Sequence, residues 1–285
     1  MRIGVGLPSI IPNTTGKTVI AWGREAERLG FASLATIGRL TYPALEELVA
    51  LSAVAAVTER IQLLTNVLIG PARDPVELAK QAASLDNLSD GRFTLGLAAG
   101  WREDDFTVTG RPWRTRGRRL DDDLEVMTRV WAGETVRGSW KPISPRPTNG
   151  QAVPMIFGGT VQACFDRAAR WGIGWTSGGA TPDDASKHFE SARAAWKAAG
   201  RDGEPQLLAL AYYGHGPVAR ERATEYLGDY YGEWGPGMAA SMPVSPEELR
   251  ATVKAFEAAG ADELIFAPTS STMDQLEGLS KAVLP

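Results

Sequence analysis

The chain has 285 residues, a length that suits one large α/β domain or two medium ones. Lys and Arg number 30 and Asp and Glu 34, for a net charge of -4, and no long block of one sign predicts a nucleic acid or a membrane surface as a partner. One cysteine, Cys164, and two histidines, His188 and His215, exclude an internal disulfide and argue against a Cys/His zinc site. We expect no signal peptide, no membrane span and a cytoplasmic location.

Short apolar runs alternate with longer amphipathic segments, which predicts repeated βα units around a parallel sheet. The predicted strands are Arg2 to Leu7, Ala32 to Ile37, Ile61 to Leu68, Phe93 to Ala98, Pro154 to Phe157, Ile173 to Thr176, Gln206 to Tyr213 and Glu263 to Ala267. Eight evenly spaced parallel strands favour a closed barrel over an open doubly wound sheet. We therefore predict an α/β fold, a (β/α)8 TIM barrel, with residues 1–285 as one domain.

Cap and turn residues mark the helices between these strands. Asp74, Thr181 and Ser245 each precede a proline and have an acidic residue three positions later, a pattern typical of helix N-termini. Gly30 and Gly260 stand where a helix must end in a left-handed residue before the next strand begins.

Three polar intervals break the regular spacing. Trp101 to Gly117 and Ala132 to Val153 both follow the fourth strand, and the second of them is an insertion before the fifth strand. Tyr230 to Pro243 follows the seventh strand. Long connections in compact domains are commonly binding loops or lids.

A βα barrel carries its chemistry at the carboxyl ends of its strands, and few ionisable residues occur there in this sequence. Arg39 follows the second strand and would either attract an anionic or carbonyl-bearing substrate or form a structural ion pair. His215 follows the seventh strand. It would act as a proton donor or a substrate ligand, or it is an ordinary loop histidine. The scarcity of acid and base groups is expected where a bound organic cofactor supplies the chemistry.

Small residues follow the fifth and sixth strands. Gly158 and Gly159 precede Thr160, which would open a helix, so exposed amides and the helix dipole would hold a phosphate. A tight turn with Thr160 as its helix cap fits the same residues. Thr176 and Ser177 repeat the pattern one strand later.

The fourth strand ends in Gly100 and Trp101. Gly100 would let a planar ligand approach the backbone, and Trp101 would form a wall of a substrate pocket. In the alternative interpretation, Gly100 ends the strand and Trp101 packs on a helix. The charges of Arg102 to Asp105 either order the mouth loop or form a dimer contact.

Beyond these patterns, the sequence resembles the luciferase-like monooxygenase family, TIM barrels that use flavin or a deazaflavin. The blocks that carry the resemblance are Ala55 to Trp101, Arg116 to Trp131 and Pro154 to Trp175. Together with the N-terminal segment, they extend the likeness over most of Met1 to about Gly179. The resemblance implies a barrel with a reduced insertion after the fourth βα unit, a homodimer, and a flavin at the carboxyl ends of the strands.

The cofactor-binding positions that the resemblance implies are Asn66, Val67, Gly100, Gly158, Gly159, Thr160, Thr176 and Ser177. Asn66 and Val67 correspond to a non-prolyl cis peptide that supports the flavin ring in many members. One departure concerns the second strand, after which many members have Asp-His and this chain has Gly38-Arg39. Arg39 cannot act as a base near neutral pH but would hold an oxyanion electrostatically. Trp101 stands where some deazaflavin dehydrogenases have a carboxylate.

The resemblance thus predicts a flavin-dependent oxidoreductase, a monooxygenase that uses oxygen and reduced FMN from a separate flavin reductase on a small organic substrate. The first alternative is hydride transfer with the deazaflavin coenzyme F-420, whose acidic tail would lie along the basic stretch Gly110 to Arg119. The second is a non-catalytic flavin-binding protein, because acid and base groups are scarce.

Overall fold

Nine strand segments, all paired in parallel, form the barrel wall in the computed structural model, which describes residues 1–285. They are β1 (Arg2–Gly6), β2 (Ser33–Thr36), β3 (Gln62–Thr65), β4 (Leu68–Ile69), β5 (Phe93–Ala98), β6 (Met155–Gly158), β7 (Gly174–Ser177), β8 (Gln206–Tyr213) and β9 (Glu263–Pro268). β3 pairs with β2 and with β5, which closes the sheet, and β4 continues along β5 where β3 stops. The predicted closed barrel of eight strand positions is confirmed.

The surrounding helices are α1 (Gly16–Leu29), α2 (Glu47–Ala55), α3 (Pro75–Leu88), α4 (Asp104–Thr107), α5 (Arg116–Trp131), α6 (Gln162–Trp171), α7 (Pro182–Ala198), α8 (Ala219–Tyr231), α9 (Gly235–Ser241), α10 (Pro246–Ala258) and α11 (Asp274–Val283). Asp74, Thr181 and Ser245 cap α3, α7 and α10 with their side chains. Only Ser245 also forms the reciprocal bond, in which Glu248 Oε2 accepts from the Ser245 amide. No helix is both long enough and apolar enough to cross a membrane.

The third predicted strand is the main difference from the sequence prediction. The prediction of one continuous strand from Ile61 to Leu68 is wrong. The strand is interrupted between β3 and β4, where a cis peptide bond joins Asn66 and Val67. The other predicted strands agree with the structure to within one residue at each end. Gly30 and Gly260 have the expected left-handed conformation, with φ of 92° and 94°.

Side chains alternate between the two faces of the barrel wall. The inner layer, whose members contact one another inside the barrel, consists of Ala35, Leu64, Ile156, Leu208 and Ile265. Their neighbours along the strands join the larger core that lies under the helices. The same alternation directs Gly158, Thr176, Leu210 and Tyr212 to the inside, near the carboxyl ends of β6, β7 and β8.

The intervals after the fourth barrel strand form the predicted reduced insertion. The first contains α4 and a 3-10 turn over Trp113–Thr115, and residues 132–153 contain no helix or strand. Further 3-10 turns cover Pro8–Ile10, Gly70–Ala72 and Gly232–Trp234.

α5 buries one acidic side chain among its apolar contacts. Asp123 lies between Leu120 and Leu124 on the buried face, is 8% exposed, and its Oδ2 has no hydrogen-bond partner. Burial raises the pKa of Asp123 to about 6. Its ionised form therefore destabilises the folded chain relative to the unfolded one.

We predict that Asp123→Asn becomes more stable relative to the wild type as the pH rises from about 4 to about 6, because only the wild type must ionise a buried group over this range. The expected relative gain is up to about 2 kcal/mol, smaller than the full pKa difference implies because the site is partly solvated. Urea denaturation at both ends of this range measures it, with the exposed Asp122→Asn as the control. A constant difference between Asp123→Asn and the wild type would contradict the assignment.

Candidate functional site

Three barrel strands meet around the side chain of Asn66 at their carboxyl ends. Asn66 Oδ1 accepts a hydrogen bond from Thr176 Oγ1 at 2.9 Å. Gly158 lies beside this pair, since a Cβ on it would come within 3.4 Å of Val67 and 3.5 Å of Thr176. Four residues that the sequence prediction named, Asn66, Val67, Gly158 and Thr176, are therefore in one cluster at the barrel mouth.

Two buried polar groups in or beside this cluster have no partner within the chain. They are Asn66 Nδ2 and Ser177 Oγ, on residues that are 7% and 2% exposed. A buried donor without an acceptor costs about 1–3 kcal/mol, and nearly all such groups in folded proteins are satisfied. Strand alternation turns Ser177 away from Thr176 and toward the helices, so Asn66 Nδ2 is the atom that fits the polar edge of a bound organic group, such as the flavin ring that the resemblance implies.

The turn after β6 leaves main-chain amides open. Gly159 has φ of +112°, and a Cβ on it would lie 2.6 Å from Cys164 Sγ, so only glycine fits. α6 begins at Gln162, its N-cap is Val161, and no side chain caps it. The prediction that Thr160 opens or caps the helix is therefore wrong, because Val161 is still extended. The uncapped amides at the start of α6 are placed to bind an anion such as a phosphate.

Gly100 makes room for protein side chains. Its φ is +81°, and a Cβ on it would come within 2.7 Å of Ile69 and 3.3 Å of Phe106. Its carbonyl accepts a hydrogen bond from Arg116 Nε at 2.8 Å. The clearance for a planar ligand that we expected at Gly100 is thus filled by Ile69 and Phe106, and the backbone conformation explains the glycine.

Trp101 stands on the rim of the mouth. Its ring stacks on Trp234, with centroids 6.0 Å apart and planes 10° apart. Both tryptophans are largely exposed, at 56% and 69%. Trp101 therefore packs on the loop between α8 and α9, and not on a barrel helix.

Arg39 forms the ion pair that one of our two interpretations expected. Its Nη2 donates to Asp104 Oδ2 at 2.9 Å, and its Nη1 donates to the carbonyl of Tyr230 at 3.4 Å. Burial alone would raise the pKa of Asp104, but hydrogen bonds from Thr41 and Arg39 lower it, so the pair is ionised at neutral pH. Arg39 is already neutralised by a partner within the protein.

The charged run Arg102 to Asp105 orders the mouth loops. Asp105 Oδ1 accepts hydrogen bonds from the amides of Leu40 and Thr41, at 3.0 and 2.9 Å. Arg102 Nη2 donates to the carbonyl of Tyr230 at 2.6 Å. The loops after β2 and β5 are thereby tied to each other and to the end of α8.

His215 does not join the other candidates. Its ring packs on α11, where a Cβ on Gly278 would come within 2.4 Å of the imidazole. The Gln275 side chain accepts a hydrogen bond from the His215 amide and donates one to the His215 carbonyl, each at 2.8 Å. With Asp274 and Lys281, His215 lines a separate depression of about 230 Å3. The chain turns outward after β8, so the prediction that His215 lies at the mouth is wrong.

The sequence prediction missed a tyrosine cluster over the mouth. The hydroxyls of Tyr212, at the end of β8, and Tyr231, at the end of α8, are 2.9 Å apart. Tyr226 and Tyr230 pack around them, and Tyr42 donates to Asp229 at 2.6 Å. Strand alternation along β8 pointed Tyr212 inward, but no pattern in the sequence identified the side chains that it would meet.

Comparisons with known proteins agree with this geometry. The sequence model of the luciferase-like monooxygenase family matches residues 1–240. An uncharacterised protein of Mycobacterium tuberculosis is 36% identical over 181 residues, which are 58% of this chain and 61% of that protein. An FMNH2-dependent dimethylsulfone monooxygenase of Pseudomonas fluorescens is 30% identical over 191 residues, 56% of this chain and 51% of that enzyme. The match thus spans between half and about three fifths of these curated relatives.

A solved structure resembles the whole chain in fold. An F420-dependent secondary alcohol dehydrogenase, bound to an F420-acetone adduct, superposes with a TM-score of 0.81 and 16% identity, covering 99% of this chain and 98% of that one. Because the family match extends over most of the barrel and includes the cluster around Asn66, the chain belongs to the luciferase-like monooxygenase family.

Proposed function

We propose that this protein is a flavin-dependent monooxygenase that uses oxygen and reduced FMN on a small organic substrate. The observation that carries the proposal is the cluster of Asn66, Gly158 and Thr176, in which Asn66 Nδ2 is buried without a partner. The family match and the FMNH2-dependent relative support it. A separate flavin reductase, a homodimer and a cytoplasmic location, all expected from the sequence, belong to the same proposal.

The chain's own residues would bind and orient the cofactor. The hydrogen bond from Thr176 holds the Asn66 carboxamide in one orientation and leaves Nδ2 to donate to an acceptor on the ring. The amides at the start of α6 would bind the phosphate. The reduced flavin, when bound, supplies the electrons that activate oxygen.

Arg39 and Arg102 would act on the mouth without touching the reacting atoms. Both donate to the carbonyl of Tyr230 near the C-terminus of α8, where cations are favourable because of the helix dipole. They hold Tyr230 and Tyr231 over the barrel opening. This cover would exclude water from the reaction.

One observation favours the deazaflavin coenzyme F-420 as the second candidate. The basic stretch Gly110 to Arg119 reaches the mouth, where Arg116 binds the carbonyl of Gly100, and Arg114 and Arg118 are exposed nearby. Such a surface suits an acidic coenzyme tail. A non-catalytic flavin-binding protein is the third candidate, because Arg39 is paired with Asp104 and His215 lies away from the mouth.

We predict that Gly158→Leu weakens FMN binding at least tenfold, because the new side chain would enter the space between Val67 and Thr176. Titration of the purified protein with FMN and with F-420, each followed by cofactor fluorescence, gives the affinities. Gly16→Leu is the matched control, since a Cβ on Gly16 meets nothing within 4 Å. A folded Gly158→Leu protein with wild-type affinity would remove the assignment.

A second experiment separates the three candidate functions. FMN on the protein is reduced without oxygen, and isotopically labelled oxygen is then admitted with candidate substrates. The monooxygenase proposal predicts label in an organic product. Substrate reduction or oxidation with F-420 and no label would favour hydride transfer. Tight FMN binding without any product would favour the non-catalytic protein.

A further inference from the structure

A cavity of about 410 Å3 lies at one side of the barrel mouth. β7 pairs with β8 only as far as Ser177 and Ala209, so the edge of β8 from Leu210 to Tyr212 is free above β7. The cavity runs along this free edge and is bounded by α9, α10 and the start of α7. Its volume is in the range of small-molecule sites.

The lining of this cavity is mostly apolar and carries no charge. Met238, Met242 and Phe256 are among the lining residues, the polar side chains other than Tyr212 are Thr181, Ser241 and Thr252, and no Asp, Glu, Lys, Arg or His is present. Methionine side chains adapt to ligands of different shapes. Because burying a charge without a countercharge is costly, the cavity suits a ligand with an uncharged apolar body.

Tyr212 connects the cavity to the tyrosine cluster. It lines the cavity, and its hydroxyl shares one hydrogen bond with Tyr231 at 2.9 Å. The hydroxyl of Tyr226 is buried without a partner, and its ring lies 6.4 Å from that of Tyr212. Each phenol carries one proton, and only one of the three protons is used in a hydrogen bond between these residues. Of these three residues only Tyr212 lines the cavity, and its proton is free for a ligand when Tyr231 donates to it.

The surroundings keep these phenols as donors. Burial raises the pKa of Tyr212 and Tyr226 well above the ordinary value, and it also raises the pKa of Tyr231. All three are therefore protonated at neutral pH. The guanidinium of Arg102 lies 5.8 Å from the Tyr231 ring and adds a positive potential, which favours an electron-rich oxygen.

We propose that this cavity binds the organic substrate, and that the substrate is an uncharged molecule with an apolar body and a carbonyl oxygen that accepts a hydrogen bond from the Tyr212 hydroxyl, to which Tyr231 then donates. The inference rests on the proposed function. The cavity reaches Gly179, in the loop that follows β7, and so begins beside the end of the strand whose Thr176 would hold the flavin. The apolar body would lie between Met238 and Leu210.

Tyr213 provides a matched control. It follows Tyr212 on the same strand, is fully buried, and its hydroxyl also has no partner. However, it faces the helices and packs on Phe266, with ring centroids 5.8 Å apart. Tyr213→Phe therefore removes an equally buried hydroxyl from the opposite face of β8.

The test measures ligand binding by NMR on protein labelled with carbon-13 at the tyrosine rings. Acetone, cyclohexanone and acetophenone are the probes, and methylenecyclohexane, which lacks the acceptor oxygen, is compared with cyclohexanone. We expect saturable shifts of the Tyr212 and Tyr231 signals, and about threefold to tenfold weaker cyclohexanone binding in Tyr212→Phe and Tyr231→Phe. Tyr213→Phe should bind cyclohexanone as the wild type does, and methylenecyclohexane affinity should be the same in all four proteins.

Three results would overturn the proposal. They are no saturable shift with any of the three ketones, an equal loss of affinity in Tyr213→Phe, and tighter binding of cyclohexanecarboxylate than of cyclohexanone. The titrations are run with and without FMN. A ketone response in a protein that binds no flavin would contradict the proposed function alone, whereas FMN binding without a ketone response would contradict this inference alone.

Discussion

Closing parallel strands into a barrel brings all of their carboxyl ends to one rim, and this constraint determines where chemistry can occur in the molecule. Asn66 and Thr176 are 110 residues apart in sequence, yet the closed sheet brings their side chains to 2.9 Å. The turn after β6 leads directly into α6, whose first amides have no side-chain cap. The cluster around Asn66 and the uncapped start of α6 thus lie at neighbouring strand ends.

Charge at the mouth is balanced within the protein. Arg39 is paired with Asp104, Asp105 is bound by main-chain amides, and Arg102 binds a helix carbonyl. These contacts use the charges to hold loops together, and the buried donors without a partner include Asn66 Nδ2, the Tyr226 hydroxyl and Arg39 Nε. The molecule therefore offers hydrogen-bond donors to a ligand, a pattern that fits an organic cofactor and an uncharged substrate.

The spacing of apolar runs and helix caps predicted nearly all strand bounds, since these depend on local chain chemistry, and it favoured a barrel over an open sheet. The family resemblance implied the barrel as well. The family resemblance named Asn66, Val67, Gly158 and Thr176 as cofactor-binding positions, and the structure places them in one cluster. It did not predict contacts between loops, such as Arg39 with Asp104 or Trp101 with Trp234, because chain order does not fix which loops meet above the mouth. His215 was misplaced for the same reason, since its backbone leaves β8 toward α11.

The central claim is that a flavin satisfies the buried amide of Asn66, and a crystal structure of the protein with FMN bound tests it most directly. The account predicts an acceptor atom of the ring within hydrogen-bond distance of Asn66 Nδ2 and the phosphate on the amides at the start of α6. FMN bound elsewhere, or bound at the mouth with Asn66 Nδ2 still without an acceptor, would contradict it.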